Sequence, residues 1–312
     1  MYYIMSAWLH RVSPGRAPAI LAVAAGLVLA IRAEAGQPPA GPPLPGAKDG
    51  AAPVRKSGRT LLSPTPRESM RELATDRPDQ TESPYTVDAG RLQLEMDFLQ
   101  MTLERAGGGA TRIASWSATP FNLKLGLLNN VDVQLVLNPY AHLRVETANA
   151  PGARTASGFG NVATRVKVNL WGNDEGRTAF GVMAFVAWPL PASAIRSGRT
   201  DWGLIFPFAV NIREGWDLGA MTRLDVLADP DGSRHAYLVN SVTVGHPLTN
   251  RLGMYVEALA ALGFGDSEWL GQLDVGWTYA VRDTIRLDWG MNVGLVGSAP
   301  ALQPFAGLSV RF

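Results

Sequence analysis

From Leu92 onward the chain alternates. In "RLQLEMDF" Leu92, Leu94, Met96 and Phe98 fall on one side, and Arg91, Gln93, Glu95 and Asp97 on the other. A period of two puts successive side chains on opposite faces of a strand. The phase slips at Leu99, which predicts an end or a bulge there. The same alternation returns in "FNLKLGL" (121–127), "VDVQLVLNPY" (131–140), "NVATRVKVNL" (161–170), "WDLGAMTRLDVL" (216–227) and "TIRLDWGMNVGL" (284–295). Less regular strands fit 180–188, 202–212, 236–246, 252–262, 269–279 and 303–312. The pattern therefore predicts about 12 strands of roughly 10–13 residues. Soluble sandwiches use about 5–6 residues per strand, whereas a tilted strand needs about 9–11 to cross a bilayer.

The connections sort the same way. Those at 128–130, 172–176, 213–215, 247–250 and 282–284 are short. Between them lie longer, more polar ones, clearest at 145–158 ("VETANAPGARTASG") and 189–201 ("PLPASAIRSGRTD"). Short turns on one rim and long loops on the other mark an outer-membrane barrel. The expected fold is all-β: a transmembrane antiparallel up-and-down barrel with both termini on the short-turn, periplasmic rim. Tyr140, Trp171, Trp188, Trp202, Trp216, Trp269 and Tyr279 recur near strand ends, where interfacial girdles sit. The last strand closes on Phe312, which reads as the terminal signal used by barrel assembly machinery.

Charge sharpens the picture of the interior. Asp97, Lys124, Arg165, Lys167, Arg223, Asp225, Glu257, Asp274, Arg286 and Asp288 all fall opposite the apolar stripe. An Arg or Lys at mid-depth on a lipid face costs roughly 2–4 kcal/mol, so these groups are expected to face the lumen. There they either pair across strands and fill a narrow barrel or line a selective path. Overall the chain has 312 residues, 46% of them hydrophobic and 18% charged. That is enough for one large domain or two small ones. It has no cysteine, which excludes disulfides, zinc–thiolate sites, a cysteine nucleophile and a lipidated cysteine. A net charge of +1 without a basic–aromatic patch argues against nucleic acid. No metal-ligand spacing and no cofactor motif is present, so none is expected.

The first 75 residues differ. His10, Arg11 and Arg16 precede the apolar run Ala17–Ile31, and Ala33-Glu34-Ala35 has the form of a signal-peptidase site. Residues 1–35 read as a secretory signal cut before Gly36. The run is about 15 residues, short of the roughly 20 an uncleaved helical anchor needs. Residues 36–75 read as a disordered periplasmic spacer rich in Pro, Gly and Ala. Within it, "RESMRELA" (67–74) has the composition for two turns of helix.

Residues 76–312 then form the barrel with its lead-in. The stretch Ala74–Phe98, "ATDRPDQTESPYTVDAGRLQLEMDF", resembles the opening of a family of bacterial outer-membrane proteins described as transporters or as belonging to a MetA pathway of phenol degradation. The matching positions are Asp76, Arg77, Pro78 and Asp79, then Thr81, Glu82 and Ser83, then Pro84, Tyr85, Thr86 and Val87, and Gly90. "SWSATPFNLKLGLLNNVDVQLVLNPY" and "GFGNVATRVKVNLWG" are similar to the family's second to fourth strands. The resemblance implies a barrel that moves small, often aromatic or apolar, compounds.

Three functions follow as expectations. The first is an outer-membrane channel or transporter for small molecules, with membrane lipid and the assembly machinery as partners. The second is a non-conducting structural or binding barrel. The third is a lipid-modifying enzyme, for which His142 and His235, with Ser157 or Ser233, are the available groups, although no nucleophile elbow accompanies them. Catalytic residues are not expected. Pro78 and Pro84 bar the segment 76–85 from continuous sheet pairing. It is either a plug that enters the lumen or a lead-in that caps the first strand.

Overall fold

The structure, a computed structural model, describes residues 56–312 except 107–108, 149, 151, 192–194, 196–197, 214, 230 and 265–268. The signal at 1–35 and the spacer as far as residue 55 lie outside the described residues. The β segments are β1 (Leu92–Ala106), β2 (Thr111–Ala118), β3 (Phe121–Leu128), β4 (Val131–Leu137), β5 (Tyr140–Thr147), β6 (Ala153–Gly158), β7 (Val162–Trp171), β8 (Thr178–Ala187), β9 (Asp201–Arg213), β10 (Trp216–Ala228), β11 (Arg234–Pro247), β12 (Leu252–Phe264), β13 (Trp269–Arg282), β14 (Ile285–Gly297) and β15 (Gln303–Arg311). Pairing is antiparallel throughout. β15 returns to β1, so the sheet closes into a barrel.

Three pairs of segments are single strands broken once. β1 pairs with β2 along its second half and with β3 along its first. β4 and β5 continue alongside β3 and β2, and β7 and β6 alongside those. The wall thus has twelve strands. Pro120 and Pro139 cause two of the breaks, because neither has an N–H to give the ladder. Thr119 beside Pro120 takes φ 50°. The third break is at 159–161, where Gly160 lies so close to Asn138 that a Cβ would collide with it. β1 bulges between Asp97 and Leu99, where the phase slip predicted it. These four faults lie side by side and form a seam across adjacent strands.

Burial is inverted relative to a soluble protein. On β1, Gln93, Glu95 and Asp97 are buried, while Phe98, Leu99, Met101 and Leu103 are exposed. Lys124, Lys167, Glu257 and Asp274 are fully or almost fully buried on their strands, whereas Val166, Leu170, Leu273 and Val256 face out. A polar interior with an apolar outer belt is the arrangement a bilayer requires of a barrel. Trp171, Trp188, Trp202, Tyr140 and Tyr279 are all exposed on the outer surface.

Two sequence expectations need correction. The stretch 145–158 is no long loop: β5 runs to Thr147 and β6 starts at Ala153, so strand occupies most of it. The two-turn helix expected at 67–74 is a single 3-10 turn, Arg67–Ser69. Its backbone becomes extended again at Met70, Leu73 is buried, and Arg71 is committed to the barrel rim. The described part of the spacer is also docked. Thr60 bridges to Leu128, Leu61 N donates to Leu127 O, and Thr65 is buried.

Candidate functional site

A chain rich in proline and acids has few ways to satisfy its backbone away from water. Residues 71–90 do it by bonding to the inward side chains of the barrel. The segment rises from the short-turn rim, turns over at 77–82 and descends to Gly90, where β1 begins.

At the rim, Arg71 joins both limbs to the turns. Its guanidinium donates to Thr86 O (3.1 Å), to Asn129 O (2.5 Å) and Oδ1 (2.6 Å), and to Asp174 Oδ1 (2.9 Å). Arg311 of β15 donates to Arg71 O at 2.7 Å and lies 3.4 Å from Asp88. Deeper in, Gln93 Nε2 donates to Ala74 O (2.8 Å), and Asp76 N to the Glu95 carboxylate (3.1 Å).

The family-like residues meet the wall one by one. Asp76 sits between Lys124 of β3 and Lys167 of β7, each Nζ 2.5 Å from a carboxylate oxygen. Lys124 also pairs with Glu95. Burial pushes the Asp76 carboxyl up, but the two lysines overcome it and hold the group well below the usual carboxylate range. Ser83 N donates to Asp76 Oδ1 (2.9 Å), tying the descending limb to the ascending one. Arg77 spans Asp97 of β1 (2.7 Å) and Asp288 of β14 (2.5 Å), with its guanidinium 5.9 Å above the Phe305 ring. Gln80 N and Thr81 N donate to the Glu257 carboxylate of β12 (2.7 and 2.8 Å), and Thr81 Oγ1 donates to it as well (2.5 Å). Glu82 pairs with Arg165 of β7 at 2.7 Å. Asn169 Nδ2 donates to Pro84 O (2.9 Å), Tyr85 N donates to Ser83 Oγ (3.2 Å), and Val87 N donates to Asp132 Oδ2 (3.0 Å). Burial, reinforced by the nearby Glu257 charge, pushes the Asp79 carboxyl well above its ordinary value.

The wall makes room for this loop. A Cβ at Gly126 would collide with the Asp88 carbonyl, and one at Gly307 with the Arg77 guanidinium. Between the apex and the wall above it, Pro78, Asp79, Gln100, Asn122, Asn292 and Phe305 border a cavity of about 50 Å³. A cavity of roughly 150 Å³ is needed to take a benzene-sized guest.

Of the ten wall charges expected to face the lumen, seven meet the loop: Asp97, Lys124, Arg165, Lys167, Glu257 and Asp288 within the lumen, and Arg286 at the rim, 3.8 Å from Glu72. Arg223 pairs with Asp225 (2.6 Å) and lies over Phe185. Asp274 lies opposite Glu257 in the β12–β13 register and accepts from Gln272. Phe312 is exposed, and its N–H donates to Leu92 O (2.8 Å), extending the closing seam between β15 and β1.

Sequence reasoning missed two features. Arg71 carried no signal beyond its charge. The inward face of β8–β10 has an apolar sector: Met183, Phe185, Ile205 and Met221 form a buried cluster beside the descending limb, where Glu82 N points at Met221 Sδ (3.5 Å). Among the described residues no histidine is hydrogen-bonded to a serine, although His142 lies opposite Ser157 in the β5–β6 register. Ser233 Oγ donates to Asp229 and Asp231 (3.0 and 2.7 Å), and His235 Nδ1 meets the same Asp229 (2.8 Å). His142 stacks on Trp116.

A family model described as "Putative MetA-pathway of phenol degradation" matches residues 75–312. No curated protein matches the chain in sequence. Among solved structures, an outer membrane channel from Pseudomonas putida F1 is 13% identical; the match covers 77% of this chain and 100% of that one at a TM-score of 0.56. The translocator domain of the autotransporter NalP from Neisseria meningitidis is 12% identical; the match covers 71% of this chain and 88% of that one at a TM-score of 0.47.

Proposed function

We propose that this chain, which belongs to the family described as "Putative MetA-pathway of phenol degradation", is an outer-membrane channel for small molecules whose lumen is closed at rest by its own residues 71–90. One observation carries the reading. The interior is filled by a re-entrant loop held by side-chain bonds, and not by wall side chains alone. A loop held this way can leave without breaking any strand of the wall. In this reading Asp76, Arg77, Thr81 and Glu82 are the latch, and Lys124, Lys167, Asp97, Asp288, Glu257 and Arg165 are its receivers. Pro78, Asp79, Ser83, Pro84 and Tyr85 shape the loop. The family description favours small aromatic or apolar compounds as substrate, and the apolar inner sector at Met183, Phe185, Ile205 and Met221 suits them once the loop has moved. Lipid contacts the outer belt.

We assign no catalytic role. A Ser–His relay needs the imidazole to take the serine proton, whereas Ser233 donates to carboxylates, and His142, although opposite Ser157, stacks on Trp116 with no hydrogen bond to a serine among the described residues. The density of ion pairs in the lumen favours one competing reading, a barrel that never conducts. Planar-bilayer recording separates the two. The wild-type barrel should conduct rarely, and an Asp76→Asn/Arg77→Gln double variant should conduct in long openings. If the double variant keeps the heat-modifiable gel mobility of a folded barrel yet stays silent, the channel reading fails.

A further inference from the structure

We infer that the outer face of β1, β2 and β5, above the aromatic girdle, is a binding site for a phosphorylated glycolipid of the outer leaflet. The strand registers stack its outward residues in layers. Met101, Trp116 and His142 lie side by side, with Tyr140 below His142, and Trp116 stacks between Tyr140 and His142 at 5.2 and 5.7 Å. One outward position further from the membrane centre come Leu103, Ala114 and Arg144. One position beyond that come Arg105, Arg112 and Glu146. Three guanidiniums thus sit immediately above the rings that mark the interface.

Among the described residues their charges are only partly cancelled. Arg144 pairs with Glu146 at 2.5 Å. Arg105 and Arg112 face each other directly across the β1–β2 ladder, and among the described residues neither forms an ion pair. Like charges in direct opposition destabilise a strand pair, and Glu146, opposite Arg112 in the β2–β5 register, stands on one side of the pair only, so a further anion beside Arg105 would relieve this placement. All three arginines are exposed on the side away from the lumen, so the loop at 71–90 cannot supply that anion. Neighbouring outward positions are about 5 Å apart across a ladder and about 7–8 Å on the diagonal. That spacing suits phosphate groups on a sugar, and guanidiniums hold phosphate oxygens in a bidentate fork.

A cleft of about 540 Å³ lies here, bordered by Leu103, Ile113, Ala114 and Leu302 together with the three arginines and two carboxylates, Glu104 and Glu146. Leu302 is held by its backbone to Leu103 (2.9 and 3.2 Å), which extends the apolar floor beyond the end of β15. Ala114, small and central, keeps the floor open between Leu103 and Arg144. Cations over an apolar floor, continuous with the lipid belt below, fit a phosphorylated lipid better than a free anion.

The test uses the full-length barrel in detergent and three probes: diphosphoryl lipid A, its dephosphorylated form and inorganic phosphate. Wild-type protein should bind diphosphoryl lipid A at least about tenfold more tightly than the dephosphorylated lipid. Arg105→Gln/Arg112→Gln should remove that preference. Glu146→Gln should strengthen binding severalfold, and it keeps the proposal testable if the double variant fails to fold, which heat-modifiable mobility reports. Equal binding of the two lipids would overturn the proposal, as would an unchanged preference in the folded double variant. Inorganic phosphate that competes as well as the lipid would reduce the patch to a general anion site and would also overturn it.

Discussion

The two walls that grip the re-entrant loop do so by opposite means. On the β3–β7 side the partners are cations, and they take side chains: Lys124 and Lys167 hold Asp76, and Arg165 holds Glu82. On the β12 side the partner is a carboxylate, and it takes mainly backbone: Glu257 accepts from the N–H groups of Gln80 and Thr81, with the Thr81 hydroxyl as the one side-chain donor. The first grip depends on which residues the loop carries. The second depends on how the loop is bent, since only a tight turn aims two successive N–H groups at one carboxylate. The cationic wall therefore sets which sequence docks, and the anionic wall sets the shape in which it docks.

The largest effect should come from breaking the cationic side. Lys124→Met/Lys167→Met leaves the Asp76 carboxylate buried and unpaired, a loss of about 3–5 kcal/mol. The loop should leave the lumen, seen as sustained conductance and as protease cleavage within 71–90. If the double variant stayed closed, the backbone grip of Glu257 would be sufficient alone, and the comparison above would be wrong. Glu257→Leu should cost less, about 1–3 kcal/mol, because it strands two backbone donors without burying a charge. Its signature should be brief flickering openings at an unchanged unitary conductance. A Glu257→Leu barrel as open as the lysine double variant would make the two grips equivalent.

Acidity gives the smallest and most diagnostic effect. Asp76 is held below its ordinary value by the two lysines, so its support for docking is present above the normal carboxylate range and is lost only in strong acid. Asp79 is pushed up by burial, with Glu257 and Asp76 adding repulsion, so the docked loop holds a proton there that the released loop would lose. Docking at Asp79 therefore weakens as pH rises. Open probability should climb as pH rises above the ordinary carboxylate range, and Asp79→Asn should flatten that slope. A slope that persists in Asp79→Asn would place the titrating group elsewhere.

The same contrast explains what could be read in the sequence. Alternation identified the strands because lipid outside and charge inside give each face a distinct composition. It blurred in β8, where Met183 and Phe185 face inward among outward apolar residues. There the inner face packs on the loop and its own neighbours, not on water or charge. It fails in β6 and at the end of β5, within 145–158, because beyond the membrane both faces meet water and no contrast is imposed. The family-like residues Asp76 to Tyr85 could be named from sequence, but their partners could not. Each pairing joins residues dozens to hundreds of positions apart, as with Arg77 and Asp288. Arg71 stayed hidden for a related reason: its four acceptors come from three separate turns and limbs, and two of them are backbone carbonyls.

The seam formed by the Asp97–Leu99 bulge, Pro120, Pro139 and Gly160 has a dynamic consequence. Ladder cooperativity stops at a missing donor, so amides on its two sides do not share one opening event. Below the seam, hydrogen exchange of β3, β4 and β7 reports separation of a closed wall. Above it, the exposed stretch built from β2, β5, β6 and the end of β1 finishes at β6, which has no further strand partner among the described residues. This upper patch exchanges on its own clock, peeling inward from β6, while the ring beneath it stays shut.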